Sequence, residues 1–116
     1  MTPEIQKDKA LRLWADYATY RRQTASYQSA KAQGKYLRDY KLTPARLLLF
    51  VDLVKLCDEK QLDPRVSLYS LFRSRRWTFP PNLEASHLLT KNPKMRAAYA
   101  RNVERDYLDG YVQHIK

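Results

Sequence analysis

Four times in 116 residues, a side chain able to cap a helix stands directly before a proline: Thr2-Pro3, Thr43-Pro44, Asp63-Pro64 and Asn92-Pro93. No other feature constrains the chain as much. A Thr, Asp or Asn at the cap accepts from an orphan backbone N–H, and proline at the first helical position has its φ preset and lacks only a donor that would go unused there. Helices are therefore predicted to begin near residues 3, 44, 64 and 93. The segments between these starts do not match one another, so the punctuation is not an internal repeat. Glycine is nearly absent, with two in the chain, where an average usage of ~7% would give roughly eight. That excludes a glycine-rich phosphate loop and weighs against a β fold with many tight turns.

Hydrophobic spacing fills in the elements. From 3 to about 33, Ala10, Leu13, Tyr17, Tyr20, Thr24 and Tyr27 recur at intervals of three and four, widened by Leu11, Trp14, Ala18 and Ala25. This pattern predicts one long helix stopping at Gly34, with a short helical stretch from Tyr36 to Tyr40. Segment 44–60 is apolar nearly all round (Leu47, Leu48, Leu49, Phe50, Val51, Leu53, Val54, Leu56) and is expected to be the central core helix. Segment 64–76 carries Val66, Leu68, Tyr69, Leu71 and Phe72 as a third helix, with a short strand over 66–72 as the alternative. Pro80-Pro81 breaks the chain, and Asn82 is placed to cap a short helix through Leu89. The last helix, from Pro93 to about Gln113, is expected to bury Met95, Tyr99, Val103 and Tyr107. The fold class expected is all-α: a single domain, 1–116, forming one bundle of about five helices.

The chemistry-bearing residues are sparse. The twelve acids are scattered, and His87 and His114 lack cysteine or histidine at metal-ligand spacing. Ser86-His87 are adjacent and so diverge on a helix. Cys57, the single cysteine, lies in the most apolar segment and reads as a small buried side chain; alone it cannot form an internal disulfide. No catalytic constellation, cofactor or metal site is expected. The start, MTPEIQKDKA, has no apolar signal core, and no run approaches a membrane span, so a cytoplasmic protein is the expectation.

The charge is lopsided: 22 Lys+Arg against 12 Asp+Glu, net +10. Residues 1–41 hold +5 and residues 64–102 hold +7, while 42–63 and 103–116 each hold −1. An excess gathered into two stretches suits a polyanion, whose condensed counterions are released on binding. Three clusters are candidate nucleic-acid contacts. The first is Arg73-Ser74-Arg75-Arg76-Trp77, where guanidinium forks match phosphate oxygens and an indole can stack on a base. The second is Lys94, Arg101 and Arg105, which share one face of the last helix, with Lys91 and Arg96 near its first turn. The third is Lys31, Lys35 and Arg38, preceded by Arg21-Arg22. The tyrosine stripe of Tyr17, Tyr20 and Tyr27 reads first as core or subunit interface.

These features support a sequence-independent nucleic-acid-binding subunit of a larger assembly, a helix-turn-helix protein built on segments 44–60 and 64–76, or a protein-only basic adaptor. A recognition helix reads bases from its N-terminal residues; here only Arg65 and Ser67 qualify, while the arginines gather at the other end. With Arg73, Arg75, Arg76, Lys94, Arg101 and Arg105 beside the apolar helix Leu47–Cys57, the profile resembles the small subunit of Cascade-type CRISPR interference complexes. The resemblance implies a small, basic, all-helical, non-catalytic subunit, stacked with further copies of itself, that contacts DNA or RNA backbones and stabilises the R-loop. Its partners would then be nucleic acid and the other subunits of the complex, with no membrane.

Overall fold

In the computed structural model, which describes residues 2–73, 79–90 and 92–115, all four capping side chains accept the bond their position predicts. Thr2 and Thr43 Oγ1 accept from the N–H groups of Ile5 (3.3 Å) and Arg46 (3.2 Å); Asp63 and Asn92 Oδ1 accept from Arg65 (2.9 Å) and Lys94 (3.0 Å). The elements are α1 Pro3–Gln23, α2 Ala25–Ala32, α3 Pro44–Glu59, α4 Pro64–Arg73, α5 Ala85–Leu88, a 3-10 turn Pro93–Met95 and α6 Arg96–Ile115. The architecture is all-helical among the described residues, and residues 66–72 are helix rather than strand.

The first predicted helix is two. Thr24 leaves helical geometry (φ −65°, ψ 147°), its Oγ1 donates to Arg21 O (2.8 Å) and accepts from Tyr27 N–H (3.3 Å). One hydroxyl thus closes α1 and caps α2, the competition between a short polar side chain and the helical ladder that makes Thr a natural break point. The helical stretch expected from Tyr36 to Tyr40 is absent: residues 35–43 form an irregular strap. Gly34 (φ +69°) ends α2, with bonds from Gly34 N–H to Lys31 O and from Lys35 N–H to Ala30 O that turn the chain out of the helix.

One core cluster joins Ala10, Leu13 and Tyr17 of α1, Leu49, Phe50, Leu53, Val54 and Cys57 of α3, Leu68 and Leu71 of α4, the 83–89 region, and Tyr99 and Val103 of α6. Helix α3 is less central than its composition suggests, since Leu48 is 61% exposed. Helix α4 instead buries Val66, Ser67, Leu68, Ser70 and Leu71 between α1, α3 and α6. Ser70 lets α6 come close: its Oγ donates to Val66 O (2.7 Å) and lies 3.4 Å from Tyr107 O. Met95, expected inside, is 58% exposed. It belongs to the 3-10 turn, whose tighter winding rotates it off the Tyr99–Val103 stripe.

The α3–α4 corner repeats the α2 exit without glycine. Gln61 holds φ +57°, Gln61 N–H donates to Asp58 O and Leu62 N–H to Cys57 O. A side chain in left-handed geometry costs about 1–2 kcal/mol, part of which a glycine would return as unfolded-chain entropy. Gln61→Gly should therefore stabilise the protein by about 0.5–1 kcal/mol, read as a rise of roughly 2–5 °C in the melting temperature. A fall would show that the Gln61 side chain contributes more than its backbone strain.

Candidate nucleic-acid interface

The strap 35–43 has no helix of its own, and its backbone polar groups are met by the segment that follows Phe79. Asn82 does most of this: its Oδ1 accepts from Arg38 N–H (2.6 Å), its Nδ2 donates to Tyr36 O (3.2 Å), and its backbone carbonyl accepts from Tyr40 Oη (3.0 Å). The predicted helix cap at Asn82 is thus replaced by a side-chain amide that pairs with the strap as a neighbouring peptide group would. Glu84 occupies the α5 cap instead, with no side-chain capping bond.

Arg21 ties this corner together, which changes its assignment. The sequence places it with Arg22 as a candidate contact, but it is 5% exposed. Its Nη1 donates to Pro81 O (3.1 Å) and its Nη2 to Arg38 O (2.6 Å), while the guanidinium lies 5.2 Å from the Tyr27 ring centre and 5.3 Å from that of Tyr40. No carboxylate pairs with it among the described residues. A planar cation between two ring faces and two carbonyls is stabilised by quadrupoles and dipoles in place of a counter-ion. Arg46 makes the second brace, with a two-pronged ion pair to Glu84 (3.0 and 3.1 Å), a bond to Lys41 O (2.6 Å) and a position 5.0 Å over the Tyr40 ring. The bonds from Arg46 hold the Glu84 carboxyl below the usual carboxylate range.

Outside this braced corner the predicted cations are wet. Arg22, Lys31, Lys35 and Arg38 are exposed, and so is Lys41, with Asp39 the only acid between residues 22 and 43. Arg73 joins them. A cleft of about 460 Å³ between the α1–α2 break and the end of α4 is lined by Tyr20, Gln23, Thr24, Ala25, Tyr69, Phe72, Arg73 and Phe79. Ser26 Oγ donates to Phe79 O, which holds Phe79 against α2. Arg73, the described member of its cluster, therefore lies at the same end of the bundle as the α1–α2 break. Arg75, Arg76 and Lys91, together with Trp77, lie outside the described residues.

The second cluster is divided between two elements, since Lys94 belongs to the 3-10 turn and only Arg101 and Arg105 to α6. Lys94, Arg101 and Arg105 are exposed, and the two arginines lie opposite Tyr99 and Val103, which are buried. Arg96 is partly used internally: it donates to Thr90 O (3.2 Å) and lies 6.0 Å over the Tyr99 ring. Glu104 pairs with Lys60 (3.1 Å), just past the C-terminal end of α3. The strap joins α3 at its N-terminal end, about 24 Å away along 16 residues of helix.

Lys9 and Arg12 belong to none of the three basic clusters. They line a smaller cleft of about 290 Å³ with Leu62, Asp63, Pro64 and Arg65. Their i, i+3 spacing marks a shared helix face, but the cleft's charge is largely balanced: Asp16 takes Arg65 in a fork (2.9 and 3.2 Å) and Asp63 caps α4. The tyrosine stripe is accounted for inside the fold. Tyr17 is buried with its hydroxyl donating to Leu83 O, Tyr20 packs on Tyr69 and Phe72, and Tyr27 lies under Arg21.

Among the described residues, no group of three His, Cys, Asp or Glu side chains could hold a metal ion, and no helix is long and apolar enough to cross a membrane. The Cys57 thiol is buried and donates to Ser67 Oγ (3.3 Å), and burial pushes its pKa up to about 11. It is protonated at neutral pH and reads as core. No protein-family model, curated protein or solved structure matches the chain.

Proposed function

We propose that the chain is a non-catalytic, sequence-independent nucleic-acid-binding subunit of a larger ribonucleoprotein, similar in role to the Cascade small subunit. The observation that carries this reading is the basic end of the bundle. Five exposed cations between residues 22 and 41, with one acid among them, stand on a strap and helix braced from behind by Arg21, Arg46 and Asn82. A braced row of cations without base-reading groups suits the phosphate backbone, which positions a protein without conveying sequence.

The helix-turn-helix alternative is disfavoured by the burial of α4. Ser67 is 1% exposed, and Arg65, though exposed, is fork-bound to Asp16, so neither N-terminal residue that could read a base is free to do so. A protein-only adaptor would use the same charges on acidic partners.

Titrating purified protein with unrelated single- and double-stranded oligonucleotides separates the three. Affinities should agree within about tenfold at fixed salt, and log K should fall with log salt by about 0.9 per phosphate contact on duplex. One duplex preferred a thousandfold would restore the helix-turn-helix. No binding to any oligonucleotide at low salt would leave the adaptor.

A further inference from the structure

Tyr36 is 79% exposed, the most exposed of the large hydrophobic side chains among the described residues. Its ring and hydroxyl make no hydrogen bond or ring contact among those residues, whereas its backbone is fixed. Asn82 Nδ2 holds Tyr36 O, and two residues on, Asn82 Oδ1 holds Arg38 N–H. A bare ring on a clamped backbone loses little conformational freedom when something stacks on it. The chain around it is cationic: Lys35 adjoins it, and Lys31 and Arg38 are exposed within five residues.

We infer that Tyr36 is a stacking platform for an unpaired base, so that the basic end of the bundle takes a single-stranded stretch of DNA or RNA, its phosphates on Lys31, Lys35 and Arg38 and one base on the Tyr36 ring. The inference rests on the nucleic-acid reading above and adds the strand form and the contact. Every base has a π face, so the contact is tolerant of sequence, in keeping with an interface that lacks base-edge readers. A paired base is stacked within its duplex and is not available to the ring.

The test compares wild type, Tyr36→Ala and Tyr36→Phe on three probes of equal length: an oligo-dT strand, an abasic strand and a duplex, at one salt concentration. Tyr36→Ala should weaken the oligo-dT complex roughly tenfold, the scale of a lost base–aromatic stack. It should leave the abasic and duplex complexes within twofold, and Tyr36→Phe should bind all three as wild type does. Melting curves should coincide, since the exposed ring makes no hydrogen bond or ring contact with the described residues. Equal loss on all three probes, or none on oligo-dT, overturns the stacking role and leaves the backbone reading standing. Wild-type protein that binds none of the three overturns both.

Discussion

Replacing Arg21 with alanine should lower stability by about 3–4 kcal/mol, a large share of the roughly 5–15 kcal/mol typical of a domain. The substitution leaves the carbonyls of Pro81 and Arg38 without their donor and opens a gap between the Tyr27 and Tyr40 rings. Each part-buried acceptor left without its donor costs toward the lower end of about 1–3 kcal/mol, and the lost packing between the two rings adds to this, partly offset because a cation no longer has to be desolvated. Arg21→Lys keeps the charge but has no planar fork able to reach two carbonyls that belong to different segments, so it should recover less than half of the loss. The distinctive readout is local. Hydrogen exchange at the Arg38 amide, which donates to Asn82, should accelerate in both variants before the core amides of α3 do. An Arg21→Ala variant with an unchanged denaturation midpoint would mean that Asn82 and Arg46 hold the corner without it.

Arg21 also shows what a sequence conveys and what it conceals. The helix starts were legible because a cap and a proline act within three residues, and each of the four does in the structure what local chemistry dictates. The α1 face was legible for the same reason, and its spacing of 10, 13, 17 and 21 already puts Arg21 on the buried stripe with Ala10, Leu13 and Tyr17. Read for charge, Arg21 pairs with Arg22 as a surface contact; read for period, it belongs inside. The period was the better guide because a guanidinium can be satisfied by carbonyls that lie 17 and 60 residues away. Those partners carry no sequence signal near Arg21. Asn82 is the same case: beside two prolines it looks like a cap, and only the tertiary fold brings the strap to its amide. Gln61 in left-handed geometry and the exposed Met95 are likewise set by how helices meet. The interface was legible as charge but not as a surface, since periodicity does not show that the clusters at 22–41 and Arg73 share one end while α6 carries its cations elsewhere.

That separation gives the second large effect. Reversing Lys31, Lys35 and Arg38 to glutamate changes the charge of the strap end by six, and should weaken nucleic-acid binding at least a hundredfold near 100 mM salt while flattening the salt slope by about 2.7 on duplex, or about 2.1 on single strands. The fold should survive. All three side chains are exposed, and Arg38 holds the strap through its backbone N–H and carbonyl, which the substitution keeps. Reversing Lys94 in the 3-10 turn together with Arg101 and Arg105 on the exposed face of α6 makes the same change in net charge, so it controls for the bulk field of a protein that starts at +10. If the strap end is the main interface, the α6 triple should lose about tenfold or less and keep most of the slope. Equal losses from the two triples would make affinity a matter of net charge, with no preferred face. A strap triple that melts like wild type and binds like wild type would overturn the basic end as the main interface, because Lys31, Lys35 and Arg38 supply three of its five exposed cations between residues 22 and 41.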